Sequence, residues 1–186
     1  MRSNLKFGVL VVLVLLIPVA GCDFGSESEE KTPPLLKEKI VSKKGSGPTT
    51  NEQDAILRVL EANKEQFKGG FNGMRAQAQP SAVKKMLAPY LTHLAQADMN
   101  GCPDEFKSAH TRHTKAWHQL DIALGRLPDA YNGTEFMDSL YALFAGNKTR
   151  GRALGGDIIA AVERVTTTEA EVYTAATNYG LEVSEE

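Results

Sequence analysis

Cysteine is nearly missing from this chain, with 2 residues in 186. Cys22 and Cys102 offer neither zinc-finger spacing nor a Cys-x-x-Cys-His haem attachment site. The common catalytic signatures are missing too. No Gly-rich loop follows a strand to cradle phosphate, no Gly-x-Ser-x-Gly presents a nucleophile, and no His-Glu-x-x-His presents a zinc pair. Glu-x-x-His, through which helical bundles hold metals in carboxylate-rich sets, does not occur either. Scattered Asp and Glu make no acid–base pair without geometry, so the expectation is a non-enzymatic protein. Positive charge is not in excess. The 21 Lys and Arg face 23 Asp and Glu, a net charge of −2, which gives nucleic acid no basic footprint to meet. No credible strand run and no internal repeat is visible.

What is present begins with a leader. Arg2 and Lys6 form a short basic region, and residues 7–20 are apolar except for Gly8 and Pro18. That is the length of a signal-peptide core, and it is short of the roughly 20 apolar residues a membrane-spanning helix needs. Pro18 helps end its helical part, because the ring clashes with the preceding turn.

Val19-Ala20-Gly21-Cys22 then resembles the lipobox of bacterial lipoproteins. The resemblance implies a diacylglyceryl group on the Cys22 sulfur, cleavage on its N-terminal side, and acylation of the new amino group by a chain such as palmitate. Two or three acyl chains hold a protein on a membrane where one is marginal. In enterobacterial lipoproteins an aspartate after the cysteine, here Asp23, looks like a signal to stay in the inner membrane. An ordinary secretory leader and an uncleaved N-terminal anchor are the alternatives. The implied division is a signal peptide over residues 1–21, a tether over 22–50 and a domain over 51–186. Loss of Arg2 and Lys6 with the leader takes the formal charge from −2 to −4. With Cys22 acylated, Cys102 has no disulfide partner in the chain.

Residues 23–50 are rich in Ser, Glu, Lys, Gly and Pro and poor in aromatics. Such a stretch cannot bury enough apolar surface to offset its ordering entropy. As a flexible coil it spans about 30 Å, enough to lift a domain clear of the headgroups. Lys37, Lys39, Lys43 and Lys44 are offset by Asp23 and four glutamates, so solvation outweighs contact with anionic lipid. Ile40-Val41 and Leu35-Leu36 are candidates for a brief helix or for docking on the domain.

From Asn51 onward the apolar period becomes helical. Ile56, Val59, Leu60, Asn63 and Phe67 share one stripe, with Asn51 as N-cap and Gly69-Gly70 as the stop. A second helix opens at Ser81 and ends near Met99. Its face is Val83, Met86, Leu87, Tyr90, Leu91, Leu94 and Ala97, and Pro89 should kink or split it. A third begins at Pro103 and carries Phe106, Ala109, His110, His113, Ala116, Trp117, Leu120, Ala123 and Leu124. Residues 134–145 form a short helical insert whose Phe136, Leu140, Leu143 and Phe144 should cover one end. The last helix runs from about Thr149 to Asn178 through Leu154, Ile158, Val162, Val165, Glu169, Tyr173 and Ala176. The fold class is therefore all-α, a four-helix-bundle-like domain with a short helical insert, preceded by signal peptide and disordered tether. Asn132-Gly-Thr and Asn147-Lys-Thr read as turns.

One local signature remains, Gly101-Cys102-Pro103-Asp104-Glu105-Phe106 followed by His110, His113 and Ala116-Trp117. It resembles a pattern of uncharacterised helical proteins of bacterial envelopes and implies no activity. Cys102 is expected at the N-cap, where amides and the helix dipole favour a thiolate while Asp104 and Glu105 oppose it. The ordinary outcome is a small, partly buried cap residue. His110 and His113 lie three apart and reach one side of the helix. Trp117 continues that side, and His118 points about 140° away from His113. His93 joins them only if Pro89 reorients it. The expectation is a hydrogen-bonded core His113 stacked on Trp117. The alternative is a metal or haem site built on His110 and His113 with Cys102 or His93. Met74, Met86, Met99 and Met137 read as packing. No cofactor is implied beyond the lipid on Cys22. The implied partners are a membrane and an envelope protein, and the role is binding or structural. An envelope enzyme with an unrecognised site is the remaining alternative.

Overall fold

Thr50 and Gln53 start the first helix by exchanging hydrogen bonds. Thr50 Oγ1 accepts from the Gln53 amide at 3.2 Å, and Gln53 Oε1 accepts from the Thr50 amide at 2.9 Å. The reciprocal pair satisfies two of the amides a helix start leaves open. The N-cap is thus Thr50 rather than Asn51, because Thr50 has Gln53 three residues on to answer it. In the computed structural model, which describes residues 39–43, 50–71 and 78–185, α1 spans Asn51–Phe71, α2 Pro80–Gln96, α3 Asp104–Leu124, α4 Gly133–Phe144, α5 Lys148–Gly151 and α6 Gly156–Asn178. Strands β1, Lys39–Lys43, and β2, Leu181–Glu185, lie outside the helices. The leader, Cys22, Asp23 and the tether up to Glu38 fall outside the described residues, as does most of the connector between α1 and α2.

The fold is all-α, and α1, α2, α3 and α6 are its four long helices. Helices α3 and α6 run antiparallel in one continuous register. Asn178 Nδ2 donates to Glu105 Oε1 at 2.9 Å, Arg112 Nε to Glu171 Oε2 at 2.7 Å, and Arg126 Nη1 to Asp157 Oδ2 at 3.3 Å. Helix α1 runs alongside α3 in the same direction, its start packing near Phe106 and its Phe67 near Trp117. All nine residues assigned to the α3 stripe are buried.

Several boundaries move. Gly69 and Gly70 lie inside α1, which runs on to Phe71. Helix α2 passes through Pro89 without splitting. Pro89 faces solvent, so the carbonyl its ring leaves without a donor can turn to water. The last helix does not reach back to Thr149. Gly155 takes φ +87°, a conformation open to glycine, and separates α6 from α5 and a single 3-10 turn, Arg152–Leu154. Beyond Val165 the buried stripe follows Thr168, Val172, Ala175 and Ala176, leaving Glu169 and Tyr173 half-buried. Asn132 and Asn147 are N-caps rather than turns, accepting from the amides of Thr134 and Arg150, each at 3.1 Å.

The ribbon is the element the sequence did not announce. Strands β1 and β2 pair antiparallel with Val41 opposite Val183, so five residues of the stretch read as tether are strand. Each segment is only five residues long, and the pairing joins opposite ends of the domain, so no local signal could specify it. Gln53 Nε2 also donates to the Tyr179 carbonyl at 2.7 Å, tying the start of α1 to the end of α6 beside it.

The core divides in two. A large cluster joins α2, α3, α4 and α6 around Leu87, Trp117, Leu120, Phe136, Met137, Leu140 and Ile158. A smaller one joins α1, α3 and α6 around Ile56, Phe106, Val172, Cys102 and Leu181, with four alanines.

Candidate polar layer between the two cores

The side chains that fit neither cluster lie between them. His110 and His113 on α3 and Thr168 on α6 are the buried polar residues of the described chain, exposed by 3%, 6% and 7%. Each sits on the inward stripe of its helix because helical spacing places it there. What lets it stay is a partner, since an unpaired polar group in such a place costs about 1–3 kcal/mol.

His113 has partners on both ring nitrogens. Trp117 Nε1 donates to His113 Nε2 at 3.0 Å. An indole N–H can only donate, so Nε2 carries the lone pair and the ring proton belongs on Nδ1. Nδ1 faces Thr168 Oγ1 at 3.1 Å. The Thr168 hydroxyl spends its own proton on the carbonyl of Arg164 at 2.8 Å or of Val165 at 3.1 Å, which leaves its oxygen free to accept. The chain indole–imidazole–hydroxyl–carbonyl therefore runs in one direction and links α3 to α6. The His113 and Trp117 rings meet edge to face, 6.2 Å apart at 85°, and so are not stacked. A stacked imidazole could not receive the indole N–H in its ring plane.

His110 faces the other way. Asn63 Nδ2 on α1 lies 3.1 Å from His110 Nε2. Thr114 Oγ1 donates to the His110 carbonyl at 3.0 Å and turns its oxygen toward His110 Nδ1 at 3.5 Å. The same tautomer suits both rings. Burial pushes His110 down to about 4, helped by the neighbouring His93. Burial also pushes His113 down to about 4, with His110 adding to it and a backbone contact at Val165 opposing. Both are neutral at pH 7. His93 on α2 does enter the layer, and its Nε2 is buried without a protein partner, as is Asn63 Oδ1. Pro89 did not have to break α2 to bring it there.

Aromatic rings wall the layer on its large-core side. Tyr90 meets Trp117 edge to face at 5.3 Å, Phe67 meets Tyr90 at 5.2 Å, and Phe144 stacks on Trp117 at 6.1 Å and 25°. Burial raises the Tyr90 hydroxyl, with Glu169 and Tyr173 adding to it, and burial with Glu169 raises Tyr173. Both remain protonated.

Cys102 lies elsewhere. It is a buried free thiol in the small cluster, two residues ahead of the start of α3, whereas His110 lies about 9 Å along that helix from its first residue. Pro103, not Cys102, is the N-cap residue of α3 and makes no side-chain cap bond. Burial pushes the Cys102 thiol up, against the pull of Arg58 and Lys107. The helix start therefore does not make it a ready thiolate. His118 is exposed, as its angle on the helix requires.

Among the described residues, no group of three or more His, Cys, Asp or Glu is placed to hold a metal ion. Ligation by His113 would first have to break the Trp117 bond or the Thr168 bond. The layer as folded is a set of cross-helix ties. The sequence pointed to His110, His113 and Trp117 as one group, and the structure brings them together. It missed Thr168 and underrated Asn63. The signal for Asn63 was there, a polar residue on an apolar stripe, but only the fold puts it opposite His110. No family model, curated protein or solved structure matches the chain.

Proposed function

We propose that this chain is a lipid-anchored protein of a bacterial envelope, held by acylated Cys22 and acting through binding or structural interaction rather than catalysis. The observation that carries the reading is the leader ending in Val19-Ala20-Gly21-Cys22. Among the described residues no helix is long and apolar enough to cross a membrane, so a covalent lipid is the anchor this reading requires. The non-catalytic part draws support from the polar layer, whose best-placed groups spend their donors and acceptors on one another. Asp23 favours retention in the inner membrane. The test is incorporation of labelled palmitate in the native host. Label should be incorporated by the wild-type chain and lost in Cys22→Ser, and label retained by that variant would sink the anchor. The binding role is tested by crosslinking on intact membranes: a reproducible envelope-protein adduct, lost when residues 51–186 are removed, supports it.

A further inference from the structure

We infer that Asn63, His93 and His110 form a binding site for a divalent transition-metal ion of the zinc class, held where α1, α2 and α3 meet. The inference does not rest on the lipid anchor. It stands on the register of three helices and on two buried polar atoms without protein partners.

The register places the three residues together. Helices α1 and α2 run antiparallel and touch at two levels. Phe67 meets Tyr90 at 5.2 Å, and Arg58 pairs with Asp98, just past the end of α2, at 3.5 Å. Asn63 lies between the α1 members of these pairs and His93 between the α2 members, which sets the two level. Asn63 is one turn from Phe67, and His93 is one turn from Tyr90. Each therefore shares the side of its helix that carries the meeting rings. Helix α3 closes the group, since Asn63 Nδ2 lies 3.1 Å from His110 Nε2.

Hydrogen bonding at that meeting point is incomplete. His93 Nε2 and Asn63 Oδ1 are buried and have no protein partner, although both residues are half-buried as wholes. Buried polar atoms are stable only when something bonds them. His110 Nε2 presents its lone pair, because the Asn63 amide donates to it. Its Nδ1 faces Thr114 Oγ1 at 3.5 Å, the kind of outer contact that orients a ligating imidazole. Turning the Asn63 amide end for end brings Oδ1 to His110 Nε2. Two lone pairs then face each other, and a metal ion between them satisfies both. Two ligands on one zinc ion stand roughly 3.3 Å apart, close to the 3.1 Å of this pair. His93 Nε2 supplies the third donor, and a water completes a tetrahedron. The half-exposed edges of Asn63 and His93 give the ion a way in.

The donor set selects the ion. Two imidazole nitrogens and an amide oxygen suit zinc, copper or nickel, whereas calcium and magnesium take oxygen ligands. His113 stays outside the set, since its nitrogens are engaged by Trp117 and Thr168.

The test uses the full-length chain in mild detergent, treated with a chelator and dialysed, with zinc chloride as the probe. Titration calorimetry should show one zinc ion bound per chain with micromolar affinity, and zinc should raise the thermal unfolding midpoint. His93→Ala and His110→Ala should each weaken binding about tenfold or more. His118→Ala, on the exposed side of α3, should leave it unchanged. Where His110→Ala does not fold, nitrogen-15 NMR of the wild-type rings decides. Zinc should shift the Nε2 resonances of His93 and His110 and leave those of His113 in place. The site is overturned by absence of saturable zinc binding, which a bridging water as sole occupant predicts. Undiminished binding in His93→Ala, loss of binding in His118→Ala, or a shift confined to His113 or His118 overturns it equally.

Discussion

The two halves of the core are built on opposite terms. The half capped by α4 is filled mainly with large side chains, among them Trp117, Phe136, Met137, Leu87, Leu120 and Leu140. The half beside the ribbon is built on Ala55, Ala109, Ala175 and Ala176, with Phe106 and Ile56 as its main large side chains. Small residues let α3 and α6 approach closely there; large ones need a fifth element, α4, to close the end. The lesson is that one bundle can use volume at one end and proximity at the other. A layer that belongs to neither sets the boundary, because polar side chains can be buried there only by bonding across the helices.

The sharpest way to break this comparison is to remove volume from the large half. Trp117→Ala should lose about 3–5 kcal/mol in urea unfolding, and it strips His113 Nε2 of its donor as well. A loss below about 1 kcal/mol would mean that the α4 end is not where stability is concentrated. The layer itself is probed by acid. His110 and His113 bind protons near 4 when folded and near 6.5 when unfolded. Between those values the unfolded chain holds more protons, so stability is full above about pH 6.5 and falls as pH drops toward 4. The combined loss is on the order of a few kcal/mol, read as the urea midpoint against pH, and it should shrink in His113→Gln.

Added volume should hurt where proximity rules. Ala176→Leu, at a site with no exposed surface, should cost about 1–3 kcal/mol by overpacking, against little change for Leu87→Met in the large half. Gly151→Ala belongs to the same test at the other end. A Cβ at this buried glycine would fall inside the side chain of Leu143, so a loss of about 1–3 kcal/mol is expected in thermal unfolding. The smallest effect is at the ribbon end. Thr50→Ala removes half of the reciprocal cap and should cost about 1 kcal/mol. A larger loss there would show that the α1 start and the Gln53–Tyr179 tie act as one unit.

How far the site was legible varies residue by residue. His110, His113 and Trp117 declared themselves by spacing on one helix, and all three are buried as that spacing demands. His93 was visible only as a histidine near a proline. Thr168 was hidden in a run of three threonines, where a helix-propensity argument notes the run but cannot choose its inward member. The choice depends on the phase of α6, and that phase is set at Gly155, where the backbone breaks and restarts.

The order of the long helices, the α3 stripe and the insert over one end were written in the chain, because a 3.6-residue apolar period and its Gly, Pro and Asn punctuation are local properties. The pairing of Lys39–Lys43 with Leu181–Glu185, the burial of Cys102 away from the histidines, and the direction of each hydrogen bond in the polar layer were decided by tertiary structure alone. Each of these joins residues distant in sequence, and no local pattern encodes which donor will meet which acceptor once the helices pack.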